Sequence, residues 1–140
     1  MKSIKKELRV ERYHKETVSF YDHLGALTTY NLGKDIAVIC FNPATKTIGI
    51  ARAISRKEFK DFISTLLSSD NILPYPILQI KFVGGDGSEY SRKKIEEIIR
   101  ILLEIDNDKD IINIISSDTN FKPHPESIRV TAFDGEISEI

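Results

Sequence analysis

The run Asp35-Ile36-Ala37-Val38-Ile39-Cys40-Phe41 turns at Asn42-Pro43-Ala44-Thr45-Lys46 and returns as Thr47 to Ala53. Side chains alternate between the two faces of a strand, and Ile36 to Phe41 is apolar on both. Such a strand belongs inside a sheet that is covered on each side, not at an edge facing water. The turn residues and the β-branched return run make the pair a hairpin, with Gly49 in its second strand. Any fold available to this chain must therefore place a sheet between two other layers.

The rest of the chain mixes short strands with helices. Leu27 to Asn31, bounded by Gly25 and Gly33, reads as a strand before the hairpin. Ser55-Arg56-Lys57-Glu58 is a capping box, with the Ser55 hydroxyl accepting from the Glu58 amide and the Glu58 carboxylate reaching back to the Ser55 amide. Phe59, Phe62, Ile63, Leu66 and Leu67 then follow at helical spacing as a core-facing stripe. Pro74 and Pro76 precede Ile77 to Val83, whose apolar residues alternate as in a half-buried strand, and Gly84-Gly85-Asp86-Gly87 stops it. Ser91 is placed to cap a second helix, with Ile95, Ile98, Ile99, Leu102 and Leu103 as its buried face. Ile111 to Ile115 reads as another buried strand, and Ser127 to Phe133 with Glu136 to Ile140 as a closing hairpin turning at Asp134-Gly135.

Residues 1 to 17 interleave Lys2, Lys5, Lys6, Arg9, Arg12 and Lys15 with Glu7, Glu11 and Glu16 and offer few apolar anchors, so a loosely attached charged arm is expected before a domain over 18 to 140. At 140 residues the chain fits one domain with a sizeable core. A net charge of -1 gives no reason to expect nucleic acid or an anionic membrane as partner. No apolar run approaches the roughly 18 to 20 residues that span a bilayer, and Met1 to Glu7 lacks the apolar core of a signal peptide, so neither membrane insertion nor export is expected. Cys40 is the sole cysteine and the three histidines, His14, His23 and His124, are scattered. That set makes no internal disulfide and has no zinc-ligand spacing, so no metal or cofactor is expected and a reducing cytoplasmic setting is.

The turn-rich Leu32-Gly33, the buried strand, the Asn42-Pro43 turn and the Gly49-containing return strand together resemble CheD, the bacterial chemoreceptor glutamine deamidase family. That family reads Thr-Leu-Gly-Leu-Gly-Ser-Cys before its buried strand and Gly-Met-Ala-His at the end of the return. Aligning Leu32-Gly33 with its second Leu-Gly puts Thr29 on the family's threonine, Asp35 on its nucleophilic cysteine and Arg52 on its histidine. Gly84-Gly85 resembles the family's Phe-Gly-Gly after a strand. Ser117 to Asn120, Ile128-Arg129-Val130 and Asp134-Gly135 resemble its closing strands, so the resemblance spans Leu27 to Ile140.

The resemblance implies a cysteine attacking a receptor glutamine, a histidine relaying the proton and a threonine orienting the histidine. Here the first two are replaced. A carboxylate is a poor nucleophile toward an amide, and a guanidinium stays protonated at any working pH and cannot relay a proton. Asp35 and Arg52 are expected either to form a charge-assisted pair or to stand apart as solvent-exposed charges at strand ends. Cys40, an odd number of residues from Asp35, falls on the opposite strand face, where a buried thiol with a raised pKa is expected in place of a nucleophile. Gly84 to Ser88 lacks the spacing of a phosphate-binding loop and reads as a tight strand-to-helix connection. His14, His23 and His124 read as exposed or locally bonded, and Glu96-Glu97 and Asp108-Asp110 as hydrophilic helix and turn positions.

The expected fold is a single-domain α/β (α+β) layered sandwich with a mixed, largely antiparallel sheet and two main helices, as in CheD. The expected function is that of a catalytically inactive CheD-like protein binding or regulating a cytoplasmic protein partner through the former deamidase groove. The resemblance implies a chemoreceptor or a chemotaxis phosphatase as the kind of partner. The alternative is an active protein-glutamine deamidase or amidohydrolase with a rearranged, Cys40-dependent site, as in a bacterial effector.

Overall fold

The two-faced strand lies in the middle of three layers. A computed structural model describes residues 6–22, 24–67, 78–118 and 126–140, so His23, Pro74, Pro76, Ile77, Thr119, Asn120 and His124 fall outside the described residues. The elements run β1 Lys6–Arg9, β2 His14–Ser19, a short 3-10 turn Phe20–Asp22, β3 Leu24–Thr29, β4 Ile36–Asn42 and β5 Thr47–Arg52. They continue with α1 Arg56–Leu67, β6 Leu78–Gly84, α2 Glu89–Asp106, β7 Ile112–Asp118, β8 Ile128–Thr131 and β9 Ile137–Glu139. One sheet has the order β1-β3-β8-β9 and the other β2-β5-β4-β6-β7. Pairing is parallel for β1 with β3 and β6 with β7, and antiparallel elsewhere. The chain thus forms an α+β sandwich of two mixed sheets with two helices.

Strand β4 is central in the five-stranded sheet, and all its residues are buried. Its odd-numbered residues, Ala37, Ile39 and Phe41, meet Leu27, Val130 and Ala132 of the other sheet. Its even-numbered residues, Ile36, Val38 and Cys40, meet Phe59, Phe62 and Ile63 of α1 and Ile101 and Leu102 of α2. The two-sided apolar run is therefore a consequence of being covered by a sheet on one face and by helices on the other.

The turn after β4 also fastens α1. The buried Asn42 side chain accepts from the Ala44 amide at 3.0 Å and donates to the Leu66 carbonyl at 3.0 Å, so one residue closes the hairpin turn and satisfies a carbonyl at the helix C-terminus. Helix α1 buries Phe59, Phe62, Ile63 and Leu66 as its periodicity predicts. Its cap differs in one bond: Ser55 Oγ accepts from the Glu58 amide at 3.2 Å, but donates to the Glu58 carboxylate in place of an amide-to-carboxylate return.

Four further expectations are corrected. The charged segment up to residue 17 is no loose arm from Lys6 onward, since its residues pair as β1 with β3 and as β2 with β5, and Val10 is buried in the inter-sheet core. Its polar residues alternate with those few anchors, which suits strands at sheet edges. Helix α2 is capped by Ser88, whose side chain accepts from the Ser91 amide, not by Ser91. Its buried side is also rotated, with Ile101 and Leu102 enclosed and Leu103 63% exposed. Strand β7 is an edge strand, and Ile114 and Ile115 are exposed rather than buried. Among the described residues, no helix is long and apolar enough to cross a membrane.

Gly49 stands on β5 opposite Cys40, under α1. A β-carbon there meets two ring atoms of Phe62 at 2.8 Å. Gly49→Ala is expected to lower the unfolding free energy by about 1–3 kcal/mol through overpacking, and trimming the ring in Gly49→Ala/Phe62→Leu to return part of that loss, as read by urea denaturation.

Candidate functional site

Thr29 ends β3, Asp35 immediately precedes β4 and Arg52 ends β5, and the pairing of Ala37 with Arg52 sets the last two side by side. The turn between β3 and β4 brings the carboxylate in. Asp35 N–H donates to the Leu32 carbonyl at 2.8 Å, and Gly33 adopts φ +55°, a left-handed conformation open to glycine without strain. Gly84, at φ +100°, lets the Asp35 carbonyl approach where a β-carbon would sit 2.5 Å from it, and the Gly85 amide donates to that carbonyl at 3.0 Å. The Gly84-Gly85 connection thus holds the start of β4 in place.

The three side chains singled out from the sequence meet. Arg52 Nε donates to Asp35 Oδ2 at 2.9 Å, with Asp35 3% and Arg52 7% exposed. Arg52 Nη1 donates to Thr29 Oγ1 at 3.1 Å and to the Tyr30 carbonyl at 2.6 Å, and Nη2 donates to the Asn31 carbonyl at 2.9 Å. Thr29 in turn donates to the Val10 carbonyl at 2.7 Å. Four of the five N–H groups of the guanidinium are accounted for. The bonds to Tyr30 and Asn31 explain why β3 stops at Thr29 and not at Asn31: those carbonyls turn toward Arg52, with Asn31 at φ +51°.

A fourth residue joins them that the sequence did not mark. Arg12 Nε lies 3.2 Å from Asp35 Oδ1 and 2.9 Å from Oδ2, with its side chain 38% exposed. The carboxylate holds the Arg12 guanidinium above its ordinary pKa. Arg12 arrives because the Tyr13 amide donates to the Arg52 carbonyl at 2.9 Å and β2 pairs with β5, with His14 opposite Arg52. In the sequence Arg12 is one cation among several.

The start of α2 packs against the same turn. Ser91, buried at the helix start, donates from Oγ to the Lys34 carbonyl at 2.8 Å and accepts from the Asp86 amide at 3.2 Å. Asp86 Oδ1 accepts from the Ser88 amide at 2.9 Å and lies 3.0 Å from Ser91 Oγ. Hydrogen bonds from Ser88 hold the Asp86 carboxyl below its ordinary range. The glycine-rich loop is thus a bonded strand-to-helix connection.

Chemically the cluster lacks a proton relay. Asp35 is held between two guanidiniums, and neither guanidinium gives up a proton near neutral pH. Cys40 is fully buried among the residues under the helices, and burial pushes its thiol up, away from the reactive thiolate. His14 is exposed, pairs opposite Arg52 in the strand register and has Nδ1 3.0 Å from the Arg12 carbonyl. Beside Asp35 a cleft of about 40 Å³ opens between α1, α2 and β4, lined by Val38, Ala53, Ile54, Tyr90 and Ile98 among others. That volume holds about three waters or a small aliphatic group. Among the described residues no group of three His, Cys, Asp or Glu side chains is placed to hold a metal ion.

Asp35→Ala is expected to lower the unfolding free energy by about 3–5 kcal/mol, because it leaves a buried guanidinium unpaired, whereas Arg12→Ala costs about 1 kcal/mol or less. Asp35→Ala/Arg52→Met regains part of the loss by removing that charge, and urea denaturation of the three variants measures it. The Asp86 carboxyl is lowered in the folded chain, so its contribution is full above the ordinary aspartate range near pH 4 and fades as pH falls through the folded value. The stability difference between the parent and Asp86→Asn is therefore flat above about pH 5 and shrinks below about pH 4 in a pH series of unfolding curves.

No family model matches the chain. Over 61 residues, covering 44% of this chain and 81% of the relative, it is 33% identical to an uncharacterized protein of Rickettsia conorii. The chain belongs to one family with this Rickettsia protein.

Proposed function

We propose that this chain is a non-catalytic, CheD-like cytoplasmic protein that binds or regulates a protein partner through the groove around Thr29, Asp35 and Arg52. The observation that carries the proposal is the bond between Arg52 and Asp35 at 2.9 Å, with Thr29 on the same guanidinium. The three positions aligned with a threonine, a nucleophile and a proton relay meet in space, which favours shared architecture. The two that do chemistry in the deamidase family are occupied by an acid and a base that neutralise each other. A buried Cys40 under the helices offers no replacement nucleophile to a protein glutamine.

The partner is a cytoplasmic protein of the chemoreceptor or chemotaxis-phosphatase kind that the resemblance implies. Its contact residues are those around the cleft, with Tyr90 40% exposed at the mouth. Mixing the full chain with the cytoplasmic domain of a chemoreceptor tests both halves of the proposal. Calorimetry is expected to show a complex that persists in Cys40→Ala and weakens about tenfold or more in Tyr90→Ala, in line with loss of an aromatic contact. Mass spectrometry is expected to show no gain of about 1 Da on any receptor glutamine, the mark of an amide converted to an acid. A 1 Da gain that disappears in Cys40→Ala overturns the non-catalytic reading (about one mass unit per converted side chain).

A further inference from the structure

Among the residues lining the cleft, Arg56 and Lys94 balance Asp35 and Glu97, and the cationic surplus comes from neighbours just outside, Arg12 on Asp35 and Lys34 over Tyr90. Asp35 sits between two guanidiniums, Arg12 and Arg52, so that cluster keeps one surplus cation. On the α1 side, Arg56 and Lys60 share the single carboxylate of Glu104, at 2.5 and 3.6 Å. Lys34 is exposed, and its ammonium lies 4.8 Å from the centre of the Tyr90 ring. Lys94 approaches the same ring at 5.9 Å and has Glu97 at 3.9 Å, a long and solvent-screened pair. These cations gather at one cleft in a chain whose net charge is -1. A local field of that sign favours an anionic partner and disfavours a basic one.

The floor has the opposite character. Val38, Ala51, Ile54, Phe59, Ile98 and Ile101 line it, between the underside of the helices and the five-stranded sheet. A free carboxylate alone would leave that apolar surface uncovered. A peptide places acidic side chains at the rim and an aliphatic one on the floor at the same time.

We propose that the cleft takes an acidic peptide segment of a partner protein, its carboxylates meeting Lys34, Lys94 and Arg12 and a small aliphatic side chain filling the floor between α1 and α2. This gives the chemistry of the partner and rests on the proposed partner-binding role of the groove. Lys94 and Arg12 are each 38% exposed at the side chain, so both reach a ligand without disturbing the buried Asp35–Arg52 bond. Glu97, at the rim, is the one carboxylate lining the cleft besides Asp35, and its proximity to Lys94 limits its repulsion of the ligand.

The test is a chemical-shift titration of the isotope-labelled full chain with three tripeptides, acetyl-Glu-Val-Glu-amide, acetyl-Gln-Val-Gln-amide and acetyl-Lys-Val-Lys-amide. The amides of Ala53, Ser55, Tyr90 and Lys94 report on the cleft. The glutamate peptide is expected to shift them with an affinity about tenfold above the glutamine peptide and further above the lysine peptide, an advantage that shrinks as salt is raised to about 0.5 M. In Lys34→Glu/Lys94→Glu, at one exposed and one half-buried position outside the hydrophobic core, the order is expected to reverse. Equal binding of the three peptides at these amides, or tightest binding of the lysine peptide, overturns the acidic-partner inference while the groove remains a binding site. Absence of any shift at the cleft with all three peptides overturns the inference and the groove's binding role together.

Discussion

A guanidinium removed from water must have its donors satisfied within the protein, and the way Arg52 meets that requirement organises one end of the molecule. Its donors go to Asp35, Thr29 and the carbonyls of Tyr30 and Asn31. Those bonds end β3, shape the turn that leads into β4 and tie both to the last residue of β5. The burial of Asp35 and Arg52 makes each dependent on the other, because a lone buried charge carries a desolvation cost of several kcal/mol, on the order of what a small domain has in total stability. Arg12 adds a second cation from the β1–β2 turn, but from the solvent side, where the interaction is weaker.

The middle layer was the most legible part of the sequence, since an apolar run on both faces, a five-residue polar turn and a glycine-bearing return leave few arrangements other than a covered hairpin. The α1 stripe was equally clear from its spacing. Where reading from sequence failed, the missing information was non-local. Lys6 to Arg9 and His14 to Ser19 look like solvated charge until β3 and β5 are there to pair with them. Ser91 reads as the cap from sequence, but its hydroxyl engages Asp86 and the Lys34 carbonyl, and Ser88 caps the helix. Ile111 to Ile115 has the composition of an interior strand, yet its place at the sheet edge depends on where the sheet ends.

The site shows the same division. The sequence singled out Thr29, Asp35 and Arg52 but left open whether Asp35 and Arg52 pair or stand apart as exposed charges, and the structure brings all three together. Arg12 had no local signal, because its approach to Asp35 is set by the β2–β5 register. Membership in one family with the Rickettsia protein adds kinship without chemistry. What the structure itself supplies is a buried charge pair beside a cleft with an apolar floor.

Asp35 locks Arg52 in place. Hydrogen exchange of arginine Nε–H groups, followed by NMR at neutral pH, reads this directly. The Arg52 Nε–H is expected to exchange about a hundredfold or more slowly than that of Arg92, whose side chain is 62% exposed on α2. Exchange of Arg52 as fast as that of Arg92 would contradict that lock, since it would mean a guanidinium open to water and free of its carboxylate.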